Sequence, residues 1–216
     1  EQYTRHHAKR ELADRGRDAV LPELTRWIDA LDAADPKFEH HLLEALWLRG
    51  SLMAPDTGLL RRVCTASSHQ TRAAGTRMIS HWFDAVPGAI DMLAAAVVDP
   101  HPRVRLEAVN ALRELGTLQA FIVAMRAADH PADTFLAYAL RLTARELQKL
   151  WLPALQDGKD VFEGQSARMT LAFSIATDRR ALAPLMALIR EGKVANRANA
   201  CRIVTTMGGK DEMTFV

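Results

Sequence analysis

Apolar residues along this chain recur every three or four positions, and nowhere do they alternate. The clearest stretch is Asp99-Pro-His-Pro-Arg-Val-Arg-Leu-Glu-Ala-Val-Asn-Ala-Leu-Arg-Glu-Leu-Gly116. Val104, Ala108, Ala111, Leu112 and Leu115 fall on one face of a helix, which predicts an amphipathic helix with a buried stripe. Asp99 is the expected cap of its first turn, where a proline is tolerated because its missing N–H has no partner to lose. Gly116 stands where a left-handed C-terminal cap belongs. Alternating β-branched runs and Asn-Gly or Asp-Gly hairpin turns do not occur, so the pattern predicts no strands.

The same design recurs along the chain. Asp35-Pro36 introduces a predicted helix over 38–49, ended by Gly50. Ser68-His69 introduces 70–82, and Asp129-His130-Pro131 introduces 132–142. Gly164 precedes 165–176, and Gly192-Lys193 precedes 194–207, which Gly208-Gly209 stops. A second, more apolar helix follows most of these, over 55–65, 86–98, 118–127, 143–156 and 179–190, while 5–15 and 19–31 form an opening pair. Arg72, Arg105 and Arg197 occupy equivalent slots. The first two are 33 residues apart, and the second and third 92, close to three periods of about 31. A fixed period of this size predicts stacked helix pairs, none of which can bury its apolar face alone. The expected fold is all-α, an α-α superhelix of about six helix pairs forming one domain over 1–216.

Asp-Pro-x-x-x-Val-Arg-x-x-Ala-x-x-Ala-Leu resembles the HEAT repeat, and Asp99–Leu112 follows it almost throughout. The other repeats follow it mainly in small residues and the Arg slot. Together with Phe38-Glu-His-His-Leu-Leu-Glu-Ala-Leu-Trp47, the Asp99–Val109 stretch also resembles the HEAT segment of large bacterial envelope proteins. Those proteins join a dehydrogenase-like β-propeller, HEAT repeats and a c-type cytochrome module carrying CxxCH. The resemblance implies a connector within a multidomain, redox-associated protein, in the periplasm or cell envelope. Neither a propeller nor CxxCH is present here, so haem binding and dehydrogenase activity do not carry over to these residues. The opening Glu1-Gln-Tyr-Thr-Arg, without Met or an apolar leader, reads as the interior of a longer chain or a processed product.

Composition narrows the function. Of 216 residues, 49% are hydrophobic and 25% charged, as in an ordinary folded domain. Mean hydropathy is −0.10, and no apolar run approaches the ~18–20 residues that cross a bilayer. Basic and acidic side chains, 28 and 26, are interspersed and leave a formal charge of +2. The isoelectric point near 8.7 does not advertise a polyanion partner, which usually takes a domain above about 9. Cys64 and Cys201 lie 137 residues apart, outside any CxxC, and read as buried thiols.

Candidate chemistry has bland readings throughout. Arg72, Arg105 and Arg197 with Asp35, Asp99 and Asp129 predict a ladder of ion pairs tying repeat to repeat, since a planar guanidinium suits that job. His69, His101 and His130 precede successive first helices and read as turn or cap residues, without the converging partners a zinc site needs. HExxH, GxSxG, GxGxxG and a Walker sequence are all absent, and Gly208-Gly209-Lys210 lacks the P-loop spacing. Trp27, Trp47, Trp82 and Trp151 sit at apolar-face positions and read as core. A rival reading, a HEAT-like DNA glycosylase, would use Trp82 with Asp84. Weighed together, the sequence predicts no catalytic residue, metal or cofactor. It predicts an interaction wall on the second helices, carrying Arg26, Arg61, Arg62, Asp91, Gln119, Arg126, Lys149 and Arg190. Mixed charge of this kind suits a protein partner or a flanking domain of the same chain better than nucleic acid. The chain is expected to be a monomer, either a spacer in a larger protein or a stand-alone protein-binding solenoid. The apolar Met-Thr-Phe-Val at 213–216 is expected to be either a truncated end or an end covered by a partner.

Overall fold

The structure is a computed structural model that describes residues 2–194 and 196–208. Thirteen α-helices and three short 3-10 helices occur among these residues, with no strand. The fold is all-α. The expected tail at 213–216, and Gly209 with Lys210, lie outside the described residues. Two compact units divide the chain, Glu1–Met92 and Leu93–Val216.

The first unit holds α1 (Gln2–Asp14), α2 (Arg17–Asp29), α3 (Phe38–Ser51), α4 (Thr57–Cys64) and α5 (His69–His81). Helix α6 (Ala89–Ala96) spans the boundary. Alternate helices pack on each other, α1 on α3 and α3 on α5, while α2 lies on α3 and α4 fills against both α3 and α5. The buried stripes have helical spacing: Val20, Leu24 and Ile28 from α2, and Leu42, Leu46 and Ala45 from α3. Gly50 does not end its helix, which runs on to Ser51. The left-handed residue beyond it is Met53, φ 50°. A Cβ on Gly50 would stand 3.3 Å from the Met78 methyl, so this glycine serves the close approach of α5.

The second unit holds α7 (Pro102–Leu115), α8 (Leu118–Met125), α9 (Thr134–Glu146), α10 (Gln148–Gln156), α11 (Ser166–Ile175), α12 (Leu182–Arg190) and α13 (Arg197–Met207). Here too alternate helices pack, α7 on α9, α9 on α11 and α11 on α13. The predicted helix starts at 132, 143 and 194 move to Thr134, Gln148 and Arg197, because Asp133 and Asn196 cap two of them and α9 runs on to Glu146. The cap of α7 is His101, whose Nδ1 accepts the Arg103 N–H at 3.1 Å, and not Asp99. Asp99 instead accepts the His101 N–H at 2.8 Å, closing the turn one step earlier. Gly116 takes the expected left-handed cap, φ 61°. The core gathers Phe121, Trp151, Phe162 and Phe173, with ring centroids 5.7–6.2 Å apart. The fully buried Trp151 satisfies its indole by donating to the Ala144 carbonyl at 2.8 Å. No helix among the described residues is long and apolar enough to cross a membrane.

Candidate functional site

In the first unit α1 and α2 do not close fully over α3. Between them lies an open cleft of about 520 Å³. Its walls are apolar: Ala8 and Leu12 from α1, Val20 and Leu24 from α2, and Ala45 and Leu48 from α3. The turn at Arg15-Gly16 holds α1 and α2 apart. Gly16 takes φ 84°, a conformation closed to most side chains.

The rim is charged with both signs. Glu44 is its focus, accepting from Lys9 Nζ at 2.6 Å, with Arg5 Nε at 3.7 Å and His40 Nε2 at 3.5 Å. Arg5 also reaches His40 at 2.8 Å. The Lys9 ammonium lies over the Trp47 ring, 4.7 Å from its centre, so two contacts hold it over one edge of the cleft. Trp27 stands at the opposite edge, edge-on to His41 at 5.7 Å, and is 42% exposed. The expectation that Trp27 is core fails for a geometric reason. The buried stripe of α2 is Val20, Leu24 and Ile28, and Trp27 stands about 60° from its centre, beyond the Val20 edge. Trp82 and Trp151 are buried as expected, and Trp47 is half-buried.

The predicted interaction residues do not form this cleft. Arg26, Arg61, Arg62 and Asp91 are exposed in the first unit; Gln119, Lys149 and Arg190 are exposed in the second. Several are occupied: Arg26 with Glu23 at 2.5 Å, Arg61 with the Pro87 carbonyl at 3.3 Å, and Arg62 over the Phe38 ring. Arg126 is drawn into an ion-pair network, forking onto Glu163 at 2.6 and 3.0 Å.

The arginines of the predicted ladder reach backbone carbonyls. Arg72 donates to the carbonyls of Ala66 and Ser67, and buried Arg105 to those of Asp99, Pro100 and Pro131. Both tie loops down through backbone oxygens. Asp35 spends its Oδ1 on the Lys37 N–H, and Arg197 is exposed. Asp129 meets a guanidinium, that of Arg168, a residue that sequence reasoning passed over. Arg168 is buried, grips Asp129 with Nη2 at 2.5 Å and Nε at 3.1 Å, and pairs with Glu163 as well. Its signal was available: Arg168 lies 63 residues after Arg105, two repeat periods on.

Electrostatics follow these contacts. The hydrogen bond from Arg126 is the largest influence on the Glu163 carboxyl; burial opposes it, and with the further help of Arg168 the net effect holds the carboxyl below the usual range. For Glu39, burial pushes the pKa up, but the Ser68 and Ser67 N–H groups and Arg72 outweigh it and leave a net lowering. Burial pushes the Cys64 thiol up to about 12, which Arg61 only partly offsets. Such a thiol stays protonated at neutral pH and is a poor nucleophile. His101 caps α7, His69 opens α5, and His130 follows the 3-10 helix Arg126–Asp129. Among the described residues no three His, Cys, Asp or Glu side chains converge as a metal site requires. Trp82 is buried while Asp84 is exposed on the 3-10 helix Phe83–Ala85.

No protein-family model matches the chain, and no curated protein is detectably similar to it.

Proposed function

We propose that this chain is a non-catalytic module of HEAT type that binds a protein segment, and that its cleft between α1, α2 and α3 receives an amphipathic helix. The cleft carries the reading. An apolar trough walled by small and branched side chains, with acidic and basic groups along its rim, has the character of a groove that takes one helix face. Ala8, Ala19 and Ala45 are small enough to let an incoming backbone lie close. The packing order supports the repeat reading, since first helices lie on first helices within each unit. Rim charges of both signs favour a peptide over a polyanion. In this reading the occupant belongs to a protein partner or to a flanking domain of the same chain, and the module also sets the spacing between neighbours. A larger redox-associated envelope protein is the proposed setting, and a stand-alone protein-binding solenoid the second.

The test fills the cleft without disturbing the core. Ala19 is exposed yet lines the cleft, so Ala19→Trp adds bulk only to open space. The probe is a synthetic amphipathic helix with a leucine face and mixed-charge borders, titrated into the full chain by calorimetry. Binding is expected to weaken by about tenfold or more in the variant, at an unchanged Tm. Equal affinity for both proteins, or no binding to either, would overturn the reading.

A further inference from the structure

Helix α9 carries a second apolar stripe that the fold does not use. Its packed side is Leu136, Ala139, Leu140, Thr143 and Ala144, set against α7, α8 and α11. On its outer side Phe135 and Tyr138 are 74% and 67% exposed. With the half-buried Leu142 they fall at i, i+3 and i+7, the spacing of anchors along one helix face. Phenylalanine and tyrosine are weaker helix formers than alanine, leucine or lysine, so neither helix propensity nor burial accounts for them there. Isolated exposed apolar side chains need no explanation, whereas a contiguous row of large ones marks a contact surface.

Two arginines complete the stripe. Arg141 and Arg145 are exposed, one turn apart, on the same side as Tyr138. Among the described residues neither side chain has an ion pair or hydrogen bond. The carboxylates at the two ends of the helix are engaged elsewhere: Asp133 accepts the Leu136 N–H at 2.8 Å, and Glu146 accepts from Arg113 at 2.8 Å. The helix therefore offers two aromatic anchors, an aliphatic one and two uncommitted guanidinium forks over about 15 Å of its length. Arginine and large aromatics are the residue types that concentrate binding energy at protein interfaces.

We propose that this face of α9 docks an acidic amphipathic helix of a protein partner. Phe135, Tyr138 and Leu142 receive its apolar side, and Arg141 and Arg145 pair with carboxylates along its border. Nucleic acid fits less well. Two guanidiniums, on a chain of formal charge +2, make a thin footprint for a polyphosphate. This surface lies in the second unit and stands apart from the cleft reading.

Fluorescence anisotropy on the full chain tests the proposal with three labelled probes. One is a synthetic helix with a Leu/Phe face bordered by Glu, another is the same helix with Lys replacing Glu, and the third is oligo(dT). The Glu helix is expected to bind about tenfold or more tighter than the Lys helix. Phe135→Ser with Tyr138→Ser should weaken the Glu helix about tenfold, and Arg141→Glu with Arg145→Glu should turn the preference toward the Lys helix. All four side chains are exposed, so helicity and Tm should hold. If either pair lost helicity, the Glu-against-Lys comparison on the unaltered chain would still decide. Ala19→Trp should leave this binding unchanged. Failure of the Glu helix to bind, equal binding of both helices, loss of binding in Ala19→Trp, or binding of oligo(dT) alone would each overturn the proposal.

Discussion

Single side chains decide where helices can touch. Gly75 lies where α5 crosses α4, and a Cβ there would stand 2.8 Å from Val63 Cγ1 and 3.2 Å from the Cys64 backbone nitrogen. Val63 is β-branched and fully buried, and a backbone nitrogen cannot swing aside, so neither neighbour yields cheaply. Two effects therefore compete in Gly75→Ala. Helix propensity favours alanine by about 1 kcal/mol, while overpacking costs about 1–3 kcal/mol. The clash should win, with a net loss of about 1 kcal/mol by urea denaturation. A stabilised variant would mean that α4 and α5 are not in this contact. Trp27 makes the opposite point, because its place at the margin of the α2 stripe leaves it half out of the core at the cleft's edge.

Between elements, the network Arg126–Glu163–Arg168–Asp129 joins the 3-10 helix Arg126–Asp129 to the loop before α11 and to α11 itself. Its carboxylate at Glu163 has a folded pKa below the ordinary 4.5. A lowered folded value means that the unfolded chain takes up its proton first as the pH falls. Stability from this group is therefore complete above about pH 4.5 and is lost as pH drops through the folded value. Glu39 in the first unit has the same sign. Glu163→Gln should lower the Tm at neutral pH, where two arginines lose their shared carboxylate. The gap from the unaltered chain should narrow steadily as the solution is acidified below 4.5. A gap that stayed constant, or widened in acid, would contradict this pairing.

At the scale of the whole molecule, periodicity made the fold class legible. Spacings of three and four residues located every α-helix to within a few residues, because burial of one face is a property of the sequence itself. Boundaries moved where a specific side chain made the cap, as His101 does in place of Asp99. The ladder was legible only in part. The Arg slots are visible in the repeat, but whether a guanidinium meets a carboxylate or a carbonyl depends on how each loop folds back, as Arg105 and Arg168 show. The cleft could not be read at all. It lies between three helices joined by turns, one of them at Gly16, and its lining residues look in sequence like any other core stripe.

The cleft also supplies the most direct test of the function proposed here, by hydrogen exchange along the full chain with and without the mixed-charge amphipathic helix. Amides of α1, α2 and the first half of α3 should exchange more slowly in its presence, and the effect should vanish in Ala19→Trp. Protection confined to other helices, or exchange unaltered by the peptide, would contradict a binding module that works through this cleft.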